Sequence, residues 1–358
     1  MNIKKILIII LTLCLSPLWA SFTFNLAPID PLFREFMADP YSNSTSFRSF
    51  TIQNESGVPR GILAVDGYNE YVEIPFENES FEGHNAFYQL KSAANIGLVR
   101  FGLGFFQLEG FLNGGINTVF QNYGGTDTLG FDGFYGAGAT IRLFNKVAIQ
   151  GGFHHFSGHW GDETIDSMVS LSEKSLSDLH LVEYTRGNSW IGSLSIEPNE
   201  NIRFYASAEL PQSSAWIRPG AHVPFHTTKP GDSNQNQHEN ITGQEGVTTS
   251  ITYPSSYKAW RIQAGSELRI PILSLGSLFL ATDVQFHQDG QTMHQIDGYN
   301  EQNPWEVAFS VGGGVELNTG LLNRKFRLEI YYHDGRFPLL NYFYTRSQYI
   351  VFGLAISG

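Results

Sequence analysis

Cysteine is all but missing. The single one in 358 residues is Cys14, inside an apolar run near the N-terminus, where it behaves as a small hydrophobe. With no second cysteine, neither disulfides nor cysteine-ligated metal hold the fold. Charge is scarce as well: charged residues make up 16% of the chain, against roughly 25% in soluble domains. Basic residues are fewer still, 22 against 34 acidic, for a formal net charge of −12. That balance excludes the basic face a nucleic-acid binder needs. Beyond residue 20, no stretch approaches the ~20 consecutive apolar residues of a transmembrane helix, and helical periodicity is hard to find anywhere.

What is present is aromatic and glycine-rich: aromatics reach 14% and glycines number 37, a composition unlike that of disordered chains. The first twenty residues, MNIKKILIIILTLCLSPLWA, set Lys4 and Lys5 before an apolar core from Ile6 to Leu15 and a small residue at Ala20. This is the pattern of a secretory signal peptide over 1–20, cut before Ser21. Export without a helical anchor, few charges and many aromatics point one way.

From about Phe87 onward the chain alternates with period two, which sends one set of side chains to each face of a sheet. In Trp260 to Ile270, Trp260, Ile262, Ala264, Leu268 and Ile270 share one face, and Arg261, Gln263, Glu267 and Arg269 the other. Ile202, Phe204, Ala206 and Ala208 oppose Arg203, Ser207 and Glu209 in the same way, and Leu278, Leu280 and Val284 oppose Asp283 and Gln285. The breaks near Phe144–Lys146, Glu197–Asn201, Pro271–Gly276 and Asn318–Arg324 are short. Those near Trp160–Leu179, Pro211–Ser256, His287–Pro304 and Asp334–Arg346 are long. Strict alternation of short and long connections is the rhythm of an outer-membrane barrel, with short periplasmic turns and long external loops.

The expected fold is therefore all-β: a transmembrane antiparallel up-and-down β-barrel of about 12 strands, with 10 or 14 as alternatives. Residues 21–46, with two Asp-Pro pairs, form a periplasmic N-terminal lead or a short plug-like element. Residues 47–358 form the barrel, with a long external loop at 211–256. A twelve-strand barrel is narrow, and inward charges such as Arg203, Arg261, Glu267 and Asp283 pack it nearly shut. The expected location is the cell outer membrane. The expected partners are membrane lipids, lipopolysaccharide and the barrel-assembly machinery, with no nucleic acid.

One stretch stands apart, His154-His155-Phe156-Ser157-Gly158-His159-Trp160-Gly161-Asp162-Glu163, at the outer end of the strand that begins at Val147. Counting by twos from Val147 puts His155, Ser157 and His159 on the apolar, lipid-facing side and His154 on the other, unless Gly151-Gly152 hosts a bulge. A histidine two residues from a serine on one strand sets a base beside a hydroxyl. The triad needs an orienting group, and Glu183 takes that place if the following hairpin is in register. His159, Asp162 and Glu163 carry oxygen and nitrogen donors suited to Ca2+ or Mg2+; no cofactor is required.

The His155-Phe156-Ser157 step resembles outer-membrane phospholipase A and lipid A deacylase, whose lipid-facing sites include a His-x-Ser pair near the outer leaflet. In this chain Gly158 stands where both have asparagine, and Val169 falls at their third triad position. More of the chain is similar to a family of bacterial outer-membrane proteins marked by an H-x-S-S-H-x-G-D-E segment. The patches that carry this likeness are Ala38–Pro40, Phe131–Gly136, His155–Glu163, Glu183–Arg186, Gly335-Arg336 and Tyr349–Leu354, with Gly158 replacing the second serine. The resemblance implies a barrel and implies no activity. The function expected is that of an outer-membrane barrel with a structural, interaction or narrow-channel role. The alternatives are an outer-leaflet lipid acyl hydrolase using Ser157 and His155, and a passive small-solute porin.

Overall fold

The computed structural model describes residues 22–65, 70–75, 85–122, 128–165, 179–184, 187–212, 217–222, 260–272, 274–288, 305–319, 324–342 and 345–357. The signal-peptide region and most of 211–256 lie outside these. The strands, in chain order, are β1 (Phe22–Leu26), β2 (Thr45–Ile52), β3 (Arg60–Val65), β4 (Glu70–Pro75), β5 (Ala86–Leu103), β6 (Phe106–Gln121), β7 (Thr128–Leu143), β8 (Val147–Trp160), β9 (Leu179–Tyr184), β10 (Gly187–Asn199), β11 (Ile202–Pro211), β12 (Ile217–His222), β13 (Arg261–Ile272), β14 (Gly276–His287), β15 (Glu306–Asn318), β16 (Lys325–Arg336) and β17 (Arg346–Ser357).

Twelve of these close a ring. Strand β5 pairs with β6 on one edge and β2 on the other, so β2, β5 to β8, β10, β11 and β13 to β17 form a continuous antiparallel barrel. Closure removes the sheet edges, the one way a sheet satisfies every backbone group in lipid. A separate four-stranded sheet runs β12-β9-β3-β4; it takes in the acidic stretch beginning at Glu70.

The pleat sorts the side chains by face. Along β14, Ser277, Phe279, Ala281, Asp283, Gln285 and His287 point inward and are buried, while Leu278, Leu280 and Phe286 face out. Leu280 and Trp190 are both 59% exposed and Phe352 61%. Such a surface would drive aggregation in water, and in lipid it is the solvated one. The inside holds polar and charged groups, and Tyr331 lies there too, buried at 5% exposure.

The lumen is filled by the chain itself. Strand β1 pairs with residues 99–103 of β5, on the same edge that β2 occupies at residues 86–91. One strand position in the wall is thus split, and residues 27–44 between its halves turn inward. Proline explains part of this, because Pro28, Pro31 and Pro40 have no N–H for a sheet ladder. Ala27 makes the turn in the left-handed region, at φ 49, and its N–H donates to Leu98 O at 2.9 Å. Gly97 lets the chain across: a β-carbon there would lie 2.6 Å from the Pro28 ring.

Inside, the wall supplies what a sheet would have supplied. Leu32 N–H donates to Glu109 at 2.9 Å and Met37 N–H to Glu267 at 3.1 Å. Arg203 donates to the carbonyls of Arg34 and Glu35 at 2.6 and 2.7 Å, and Lys91 to those of Pro40 and Ser42 at 2.5 and 3.1 Å. Arg34 pairs with Glu197 at 3.0 Å, and Asp39 with Arg261 at 3.4 Å.

At the long-connection end, residues 337–342 fold inward as a cap. Phe337, Leu339 and Tyr342 are buried in a core with Phe50, Phe87, Leu129, Trp160 and Tyr349. Leu340 N–H donates to Asp132 at 3.0 Å and Asn117 to Pro338 O at 2.8 Å. Plug and cap meet where Tyr41 Oη donates to Phe337 O at 3.0 Å.

Candidate functional site

The chemistry-bearing segment occupies the far end of β8, away from the short turn at 144–146. No bulge intervenes at Gly151-Gly152: β8 pairs in unbroken register with β7 on one side and β10 on the other. His154, Phe156 and Trp160 are therefore buried on the inner face, while His155, Ser157 and His159 face outward among the lipid-facing residues.

Two histidine contacts define the outer patch. His159 Nε2 and Ser157 Oγ are hydrogen-bonded at 3.1 Å, and His155 Nδ1 and Asn188 Oδ1 at 2.9 Å. Each imidazole is stacked on an aromatic ring of β7: His159 on Phe131 at 4.8 Å and His155 on Tyr135 at 4.6 Å. Between the two stacks, Gly133 is the cross-strand partner of Ser157. With no side chain there, the hydroxyl lies in a notch walled by the two ring pairs.

The structure brings some expected groups together and separates others. Ser157 has a histidine within reach, and it is His159 in place of His155. Glu183 is not in the barrel strand that pairs with His155. It lies on β9, in the smaller sheet, in register with Arg218 of β12; its side chain is outside what is described. The barrel neighbour of β8 begins only at Gly187, which puts Asn188 opposite His155. Sequence reasoning missed Asn188 because it took the 180–186 stretch for the adjoining barrel strand. The signal was there in the long alternation from Trp190 to Ile196, which fixes the parity of the true strand. Asp162 and Glu163 open a helical turn just past β8 and are exposed. Among the described residues no three His, Cys, Asp or Glu side chains converge as a metal site would require.

The patch can position a hydroxyl against an imidazole at a lipid-facing wall, with a second imidazole held by an amide. Neither imidazole has a carboxylate among its hydrogen-bond partners described above. The inward neighbour of the patch, His154, belongs to the lumen, where its Nδ1 stands 3.9 Å from Glu209.

Ring closure, an apolar exterior and a charged, hydrogen-bonded interior together define an outer-membrane β-barrel, and they place the protein in an outer membrane. No family model matches the chain, and no curated protein matches it. Among solved structures it is similar to an outer membrane channel from Pseudomonas putida F1, at 9% identity over 92% of this chain and 98% of that one, with a TM-score of 0.37. It is also similar to the beta domain of the Bordetella autotransporter BrkA, at 12% identity over 87% and 98%, TM-score 0.34, and to a Pseudomonas aeruginosa FadL homologue, at 10% over 88% of each, TM-score 0.34. Likeness at this level carries no argument about activity; the class rests on the geometry.

Proposed function

We propose that the protein is a closed outer-membrane barrel with a structural or interaction role, or a narrow channel gated by its own N-terminal segment, and that it is no open diffusion porin. The observation that supports this is the plug: residues 27–44 cross the lumen on hydrogen bonds and ion pairs from β5, β6, β10, β11, β13, β14 and β16. Its partners on this reading are the surrounding lipids and lipopolysaccharide, and the assembly machinery that inserts it. Planar-bilayer conductance of the full chain tests the reading. The intact protein is expected to conduct little, and a doubly substituted Lys91→Met, Arg203→Met chain, stripped of four donors to plug carbonyls, to conduct in larger and more frequent steps. A steady, large conductance from the intact protein would refute the closed-barrel reading.

A second reading, lipid-ester hydrolysis on the outer wall, is favoured by the Ser157–His159 hydrogen bond. There Ser157 is the nucleophile and His159 the adjacent base, with His155 and Asn188 shaping the far side of the notch. Mass spectrometry of lipids from cells expressing the intact protein and a folded Ser157→Ala variant decides it. Acyl loss with the first and not the second supports the hydrolase; unchanged lipids with both remove it.

A further inference from the structure

Among the described residues, a chamber of about 90 Å³ lies between the plug and strands β5, β6, β8, β10, β11 and β13. At ~10–15 Å³ per water on this measure, it holds roughly six to nine waters or a solute that displaces them. Its lining is unusual in what it leaves unused. His154 is 7% exposed, and neither of its ring nitrogens has a hydrogen-bond partner. Asn95 Oδ1, Asn113 Oδ1, Arg34 Nε and Arg261 Nε are also buried without one, and all five residues line this chamber. Buried polar atoms are rarely left this way, and here they converge from the plug and from four strands of the wall.

The charges around the chamber are already compensated. Arg34 faces Glu197 at 3.0 Å, Arg261 faces Asp39 at 3.4 Å and Glu209 at 3.9 Å, and Glu35, whose Oε1 accepts no hydrogen bond, faces Arg327 at 3.5 Å. What remains is hydrogen-bonding capacity of both kinds with little net charge: N–H donors on two guanidinium groups, acceptors on two amide oxygens, and an imidazole that does either. Apolar surface lies beside it, with Phe111 on the wall and Phe36 stacked on Tyr205 at 4.0 Å. A ligand that both gives and accepts hydrogen bonds, carries no charge and offers a C–H face matches this lining. We propose that the chamber is a binding site for a small uncharged polyhydroxylated solute, of pyranose size or smaller. The inference depends neither on conductance nor on Ser157.

Calorimetric titration of the full folded chain in detergent tests it, with D-glucose as the probe and lactate and glycine as charged and zwitterionic counterparts. Saturable glucose binding is expected at Kd ~1 mM or tighter, weakened ~10-fold or more by Asn113→Leu or His154→Phe. Lactate and glycine are expected to give none. Folding of each variant is checked by the heat-dependent gel shift of a closed barrel. On the intact chain, with no substitution, saturating glucose should also raise the temperature of that shift. An absent shift and an absent heat would mean a chamber that holds water only. Equal binding by both folded variants, or lactate or glycine binding where glucose does not, would equally overturn the proposal.

Discussion

Arg203 is fully buried in a membrane protein and is nevertheless fully used. Its guanidinium meets Glu267 at 3.0 Å, Ser195 at 2.8 Å and the carbonyls of Arg34 and Glu35, so its charge is paired and its donors are divided between the wall and the plug backbone. Removing one partner of a buried pair typically costs about 3–5 kcal/mol. Arg203→Met is expected to lower the urea midpoint of the folded gel band accordingly. Arg203→Lys should recover only part of the loss, since an ammonium lacks the planar fork that serves a carboxylate and two carbonyls together. Gly97 is the other residue on which the plug depends: in Gly97→Val the new side chain collides with the Pro28 ring. That variant is expected to keep its heat-dependent gel shift while limited proteolysis cuts residues 22–44 markedly faster than in the parent.

At the scale of elements, the split first strand and the inward cap decide whether the barrel is open. The cap hangs on Asp132, which accepts Leu340 N–H at 3.0 Å, and on Asn117, which donates to Pro338 O. Asp132→Leu leaves that N–H without its partner and should destabilise the cap by about 1–3 kcal/mol. Cleavage within 337–342 by added protease, measured with the barrel otherwise folded, is the check. The element that fills the candidate site is β10, and the residue it contributes, Asn188, was not predicted. Which stretch joins the ring after a long connection is settled by non-local pairing; local alternation marks Trp190 to Ile196 as a long strand and fixes its parity, without naming the sheet it joins. Both Leu179–Tyr184 and Gly187–Asn199 are strands; only the second belongs to the wall.

The whole molecule inverts the usual distribution of polarity, and its stability should respond to substitution accordingly. Leu280 faces lipid near the middle of β14, and Leu280→Arg is expected to cost about 2–4 kcal/mol for folding into bilayers, by the depth dependence of cations on a barrel's outer face. Denaturant titration of folding into lipid vesicles measures it. Ser277, one face over and near the turn, should tolerate alanine within about 0.5 kcal/mol by the same assay. Ser157→Ala, in the outward notch, should likewise leave folding unchanged, which is what makes it a usable control for lipid chemistry.

The amino-acid sequence by itself determined the class. Period-two alternation, the short-and-long connection rhythm and the scarcity of charge were enough for a closed barrel of about twelve strands, with ten or fourteen left open, because in lipid an alternating chain has no other way to satisfy its backbone. Parity along β8 was also local, so counting from Val147 sent His155, Ser157 and His159 to the outer face, where the structure has them. Tertiary structure alone decided which histidine meets Ser157, that Asn188 and not Glu183 stands opposite His155, and that Tyr331 and the cap at 337–342 turn inward. It also decided the path of residues 27–44, whose prolines say only that they leave the sheet. Where they go depends on arginines, a lysine and glutamates scattered from Lys91 to Arg327, which become a single binding surface only when the ring closes.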